Sequence, residues 1–219
     1  MLTVKNGVFG SIKEKKYMNE IEQYWDTRYQ TKQTGWDIGH VATPLKEYFD
    51  QLNDKQASIL IPGCGNAYEA TYLLQKGFTN ITLVDISQIL VDNLRETLKK
   101  YLDKGLRIEC QDFFEHQGQY DLIVEQTFFC ALNPELRPAY VQKMNELLKP
   151  NGKLVGLLFD KQFDGGPPFG GSKTEYKVLF TPIFHIKTME LAYNSIKPRA
   201  GAELFCIFQK DGFGSVPKV

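Results

Sequence analysis

The chain is expected to fold as a doubly wound α/β sheet of seven strands, mostly parallel and with an antiparallel edge. From residue 57 onward, apolar runs of strand length alternate with helical segments, the sequence pattern of parallel strands joined by crossover helices. One junction, Ile61-Pro-Gly-Cys-Gly65, is a glycine turn between a strand and a helix. Gly63, Asp85, Asp112 and Glu125-Gln126 all fall at the carboxyl ends of strands, where open α/β sheets bind their ligands.

Taken in order, Thr43-Pro44 opens a short helix to about Leu52, with Thr43 as N-cap and Pro44 at the first helical position. The first strand is Ser58 to Pro62, and its helix runs from about Ala67 to Lys76 until Gly77 stops it. Strand Ile81 to Asp85 leads into a helix capped by Ser87 that extends to about Asp103. Strands Leu106 to Cys110 and Tyr120 to Glu125 follow, then a helix from about Pro134 to Lys149, ended by Pro150-Asn151-Gly152. A fifth strand, Lys153 to Phe159, reaches the Gly- and Pro-rich loop Asp164 to Gly171. Ser172-Lys-Thr-Glu175 has the pattern of a capping box at the start of the last helix. Two β-rich runs, Phe184 to Tyr193 and Ala202 to Gln209, close the chain as an antiparallel pair. Residues 1–42 read as an extension or lid, and 43–219 as one ligand-binding domain.

The turn and the acid after it define a class of ligand. Gly63 and Gly65 allow a sharp turn and a close approach of ligand to backbone, and Asp85 can accept from two ribose hydroxyls. A dinucleotide site wants a third glycine where Tyr68 stands, and no P-loop pattern occurs. A ribose acid without a phosphate cradle suits S-adenosylmethionine. Asp112 can accept from an adenine amino group, with Phe113 offering an apolar face; by itself Asp112 reads as a loop acid or N-cap.

Lys plus Arg and Asp plus Glu both total 26, so no charge surplus points to nucleic acid. No apolar run is long enough to span a bilayer, and no signal-peptide core precedes the domain. Cys64, Cys110, Cys130 and Cys206 lack metal-ligand spacing, so no metal is expected and a reducing, cytoplasmic setting is. His40, His116 and His185 have no partner pattern and read as surface or structural residues. Trp25, Tyr29 and Trp36 share a helical face if the helix continues past Gly35; spacing favours a core stripe, and the alternative is an aromatic lid over a cation.

A resemblance bears on that choice. Trp25-x3-Tyr29-x6-Trp36-Asp37, Ile61-Pro-Gly-Cys-Gly65, Val84-Asp-Ile-Ser87, Phe128-Phe-Cys-Ala-Leu-Asn-Pro-Glu-Leu-Arg-Pro138 and Gly166-Pro-Pro-Phe169 together resemble the thiopurine S-methyltransferase family. Within it the chain is most similar to the halide and thiol methyltransferases known as harmless-to-ozone-layer proteins, from about Trp25 to Gln209. The resemblance implies a class I methyltransferase fold and S-adenosylmethionine as cofactor, with S-adenosylhomocysteine as product. It assigns cofactor contacts to Trp25, Tyr29, Trp36, the turn Gly63, Cys64 and Gly65, then Asp85, Asp112, Phe113 and Gln126. Position 126 carries arginine in mammalian thiopurine enzymes and tyrosine in plant halide enzymes, so Gln126 matches neither specificity. Trp36, Gln126, Phe128 and Phe169 are the expected substrate-side residues.

The expected activity is methyl transfer to a small soft nucleophile, a thiol first and a halide next, with no dedicated catalytic residue. The competing reading is a nucleoside-binding partner or regulatory module without turnover; a nucleotide oxidoreductase ranks behind both. The sequence leaves the oligomeric state open.

Overall fold

Burial alternates residue by residue at the centre of the sheet. Ile59 and Ile61 pack into one apolar cluster and Leu60 into another, while Leu122 and Val124 join the first and Ile123 the second. Such alternation places one core on each face of a sheet covered on both sides. The structure is a computed structural model that describes residues 7–102 and 104–212, with side chains from residue 18 onward.

In chain order the elements are α1 (Gly7–Gln30), α2 (Thr43–Phe49), β1 (Ile59–Pro62), α3 (Tyr68–Gln75), β2 (Ile81–Asp85), α4 (Gln88–Thr97), β3 (Leu106–Cys110), β4 (Tyr120–Gln126), α5 (Arg137–Leu147), β5 (Leu148–Phe159), α6 (Lys173–Phe180), β6 (His185–Leu191) and β7 (Glu203–Gln209). The strands form one seven-stranded sheet in the order β3-β2-β1-β4-β5-β7-β6. β1 pairs in parallel with both β2 and β4, so the winding reverses between β1 and β4. Helices α2, α3 and α4 cover one face through Leu45, Phe49, Leu73 and Leu94. Tyr140 and Met144 of α5 and Tyr176 and Phe180 of α6 fill the other.

The expected sheet is present, with the pairing of its last strands now defined. β7 is antiparallel to both of its neighbours, β5 and β6, and lies between them.

Several boundaries move for local reasons. Helix α2 starts one residue early: Ala42 is the N-cap, and its backbone N–H donates to Glu69 Oε1 at 3.0 Å. The helix expected to reach Asp103 ends at Thr97 and continues as a 3-10 turn, Lys99–Tyr101; Asp103 itself lies outside the described residues. Pro134–Leu136 is a 3-10 turn before α5. Pro150-Asn151-Gly152 does not separate helix from strand, because β5 begins at Leu148 and takes these residues up as an irregularity opposite Tyr120 and Leu122. The capping box is half formed: Ser172 Oγ accepts from Glu175 N at 3.2 Å, whereas the Glu175 carboxylate pairs with Arg137 at 2.5 Å.

Candidate functional site

The winding reversal brings the turn after β1 beside the ends of β2 and β4. Gly63 and Gly65 have φ of +54° and +50°, which L side chains rarely adopt. Their roles differ. A Cβ at Gly63 would lie 2.2 Å from Phe128 Cδ2, so its missing side chain makes room for that ring and not for a ligand. At Gly65 the nearest atom to a Cβ would be Tyr29 Oη at an ordinary 3.6 Å, leaving backbone conformation as the requirement. The Cys64 side chain is buried in the first core, so only its backbone is placed at the turn.

Asp85, at the end of β2, faces this turn. Its Oδ2 accepts from Gly65 N at 3.3 Å and its Oδ1 from Ser87 N at 3.1 Å. Burial pushes its pKa up to about 6, opposed by those backbone donors and reinforced by the neighbouring charge of Asp26.

Farther along the sheet, Asp112 is half-buried and its Oδ1 accepts from Phe114 N at 3.0 Å, so one oxygen closes a local turn. Burial raises its pKa. Phe113 departs from the expected role at the adenine. Its ring is 4% exposed and lies in the second core, edge-on to Phe128 at 5.2 Å, so it supports Phe128 from below. Phe114, edge-on to Phe113 at 5.3 Å, is the half-buried ring of the pair.

After β4 the chain is held from underneath by a carboxylate expected at a strand end beside the ligand. Glu125 is buried; its Oε1 accepts from Phe128 N at 2.8 Å and Phe129 N at 2.9 Å, and its Oε2 from Tyr140 Oη at 2.7 Å. Burial pushes its pKa up to about 7. Gln126 is half-buried, and its Oε1 is enclosed without a hydrogen-bond partner. An enclosed, unpaired acceptor is costly unless a donor from outside the chain, water included, meets it. Of the two phenylalanines, Phe129 is core and Phe128 is half-buried on Gly63. Phe169 is brought alongside, its N–H donating to Cys130 O at 2.6 Å. Arg137 steadies that loop by donating to Gly170 O at 2.7 Å.

The N-terminal segment crosses this face. Trp25 and Tyr29 sit on the last turns of α1, which ends at Gln30, and Trp36 follows a turn. The Trp36 ring stands edge-on to Trp25 at 5.4 Å and to Tyr29 at 5.9 Å. All three are half-buried, as a cover open on one side would be. Asp26 Oδ1 accepts from Ser87 Oγ at 2.6 Å and from Ile89 N at 3.2 Å, pinning α1 to the start of α4. Asp37 accepts from Asn66 Nδ2 and, at 3.3 Å, from Tyr68 Oη, tying the segment to the glycine turn. Arg199, between β6 and β7, donates to the Trp36 carbonyl at 2.5 Å.

The geometry thus gathers Trp25, Tyr29, Trp36, Gly63, Gly65, Asp85, Asp112, Gln126, Phe128 and Phe169 at one end of the sheet. Asp26, Asp37, Glu125 and Arg199 join them, and only Asp37 stood inside a motif, beside Trp36. His116 is buried and bonded to Tyr120 Oη at 2.8 Å, away from this face. Among the described residues no cluster of His, Cys, Asp or Glu could hold a metal ion.

Residues 20–210 match the family described as thiopurine S-methyltransferase. The chain is 30% identical over 187 residues to a probable thiol methyltransferase 2 of Arabidopsis thaliana, covering 82% of this chain and 81% of that one. It is 32% identical over 185 residues to a thiocyanate methyltransferase 1 of Brassica oleracea, with the same coverage of 82% and 81%. Among solved structures, the fold is similar to the Burkholderia thailandensis 1,6-didemethyltoxoflavin-N1-methyltransferase with bound S-adenosylhomocysteine. The TM-score is 0.71 at 17% identity, covering 90% of this chain and 89% of that one.

Proposed function

Because this chain belongs to the thiopurine S-methyltransferase family, we propose that it transfers the methyl group of S-adenosylmethionine to a small soft nucleophile, most directly the sulfur of a thiol. One arrangement carries the reading. Asp85 faces the glycine turn where the winding reverses; Tyr29 lies beside that turn and Asp85, and its ring stands edge-on to Trp36, which stands edge-on to Trp25. A ribose acid next to a cluster of electron-rich rings fits a nucleoside that carries a cation. The unpaired Gln126 Oε1 fits it too, as an acceptor for a donor on the cofactor or the substrate.

In this reading Asp85 takes the ribose hydroxyls and Asp112 the adenine amino group. The backbone of Gly63, Cys64 and Gly65 passes beside the amino-acid end, and Trp25, Tyr29 and Trp36 cover the site. Gln126, Phe128 and Phe169, with Trp36, border the acceptor. When bound, S-adenosylmethionine supplies a methyl group on a positively charged sulfur. The chain's task is then to align the nucleophile and exclude water, since in-line displacement needs no covalent help from the protein. A free thiol with a pKa near ~8.5 is already partly ionised at neutral pH, so no dedicated base is required. Burial pushes the Cys130 thiol up to about 12 and raises the Cys64 and Cys206 thiols as well, which disfavours the thiolate at all three.

The names of the relatives, thiol and thiocyanate methyltransferase, support sulfur over oxygen or nitrogen as acceptor; halide ions stay in the class on the sequence resemblance alone. The extension 1–42 is read as a lid, a role supported by Trp25, Tyr29 and Trp36 lying together at this end of the sheet. The four cysteines are unpaired, which supports a reducing, cytoplasmic setting. No helix among the described residues is long and apolar enough to cross a membrane.

The test is turnover. With S-adenosylmethionine and a panel of thiols, sulfide, thiocyanate and halides, the protein should form S-adenosylhomocysteine with at least one member. Tight binding of S-adenosylhomocysteine without turnover on any of them would instead establish a binding module.

A further inference from the structure

We propose that Arg199 is a positioning residue for methyl transfer: by holding the Trp36 carbonyl it latches the aromatic strap over the site and sets how long the nucleoside stays bound. This rests on the methyltransferase reading above and extends it to a residue outside every motif.

The strap is anchored at both ends by charge. Near its start, Asp26 takes Ser87 Oγ and Ile89 N. Near its end, Arg199 Nη2 donates to Trp36 O at 2.5 Å. The Arg199 side chain is itself fixed: Nη1 pairs with Glu203 at 3.2 Å, and its guanidinium carbon lies 5.6 Å from the Phe159 ring centroid. Both Arg199 and Glu203 are buried, 9% and 3% exposed. A buried ion pair is expensive to keep, so its retention at the strand ends calls for a use beyond stability.

The geometry indicates that use. Glu203 pairs across the sheet with Phe159, the last residue of β5, so the ion pair sits at the rigid rim of the sheet. Each terminal nitrogen of Arg199 is already engaged by the protein, one on Glu203 and one on the strap. The guanidinium is therefore held between the sheet rim and the strap. Arginine suits the task, because a planar fork can serve a carboxylate and a carbonyl together where an ammonium cannot keep both directions. Trp36, held through its backbone, then presents its ring to Trp25 and Tyr29.

The chain contains two tryptophans, and both lie in the strap, so native tryptophan emission reports on it without a label. Two variants separate latching from folding. Arg199→Lys keeps a cation beside Glu203 and gives up the bond to the strap. The double variant Arg199→Met with Glu203→Gln removes the latch without stranding a buried carboxylate. In both, S-adenosylhomocysteine should dissociate about 10-fold faster, the worth of one hydrogen bond from a charged donor, while association stays within about twofold. Acrylamide should quench the tryptophans more readily in both variants, with and without ligand, at a melting temperature within a few degrees of the parent.

Parent-like dissociation and quenching in a folded variant would overturn the proposal. So would faster dissociation that scales with loss of melting temperature while quenching stays at the parent level. Quenching in the ligand-free protein tests the latch even if S-adenosylhomocysteine does not bind, an outcome that would count against the methyltransferase reading alone.

Discussion

Acid should loosen the cofactor before it unfolds the protein, and Asp85 sets where. On the proposed assignment the ribose hydroxyls donate to Asp85, and they bind the ionised carboxylate far more tightly than the acid form. In the free protein burial holds the Asp85 pKa at about 6. Binding therefore lowers that pKa, and affinity must rise with pH through about 6 and then level off. At pH 5 about one carboxyl in eleven is ionised, so the dissociation constant for S-adenosylhomocysteine should be roughly elevenfold higher than at pH 7.5, about 1.4 kcal/mol. Calorimetric titration across this range measures it directly. Asp85→Asn should bind about 10-fold or more weakly at pH 7.5, having lost the charge from its hydrogen bonds, and should show no such slope. The same shift acts on stability with the opposite sense. A carboxyl whose pKa is raised on folding favours the native state below its unfolded value, and that contribution is lost as pH rises toward about 6, at a cost of ~3 kcal/mol. Ligand binding above pH 6 should therefore raise the melting temperature most. A flat affinity profile between pH 5 and 7.5, or a parent-like slope in Asp85→Asn, would refute the reasoning.

Glu125 should show the same sign at a higher pH: its pKa is raised to about 7, so its favourable contribution fades between about pH 4.5 and 7. Glu125→Gln should accordingly gain in melting temperature relative to the parent at pH 8 but not at pH 5; an equal difference at both would show that the carboxyl does not titrate there. Gly63→Ala should cost more than about 2 kcal/mol in denaturant unfolding, from positive φ plus a clash with Phe128. Phe128→Ala in that background should recover the clash part, and no recovery would place the cost wholly in the backbone. Limited proteolysis near Arg28 and Lys32 should slow when S-adenosylhomocysteine is added; equal rates would argue against a moving strap. Phe169→Ala should alter the Michaelis constant or the selectivity among thiols and halides with cofactor affinity within a few fold, and parent behaviour toward every acceptor would remove Phe169 from the pocket.

What could be read in the sequence was local. The glycine turn, the strand ending at Asp85 and the Ser87 cap are each written within a few residues, and each stands in the structure as expected. Local signals misled where tertiary contacts overrode them. Pro150-Asn151-Gly152 has the composition of a terminator, yet pairing with β4 draws it into β5. Phe113 follows a strand end as an adenine neighbour would, but Phe128 and Tyr140 claim its ring for the core. Gly63 looked like space for a ligand and is space for Phe128. Arg199 and Asp26 had no local signal, because their partners Trp36 and Ser87 lie 163 and 61 residues away.

Those separations order events during synthesis. The strap leaves the ribosome first, but the residue that fastens its far end emerges 163 positions later. Strands β1 to β4, with the turn and Asp85, are complete by residue 126, long before β7 threads between β5 and β6 to bring Glu203 into place. The nascent chain thus holds the turn and Asp85 well before it holds the residue that fastens the proposed cover.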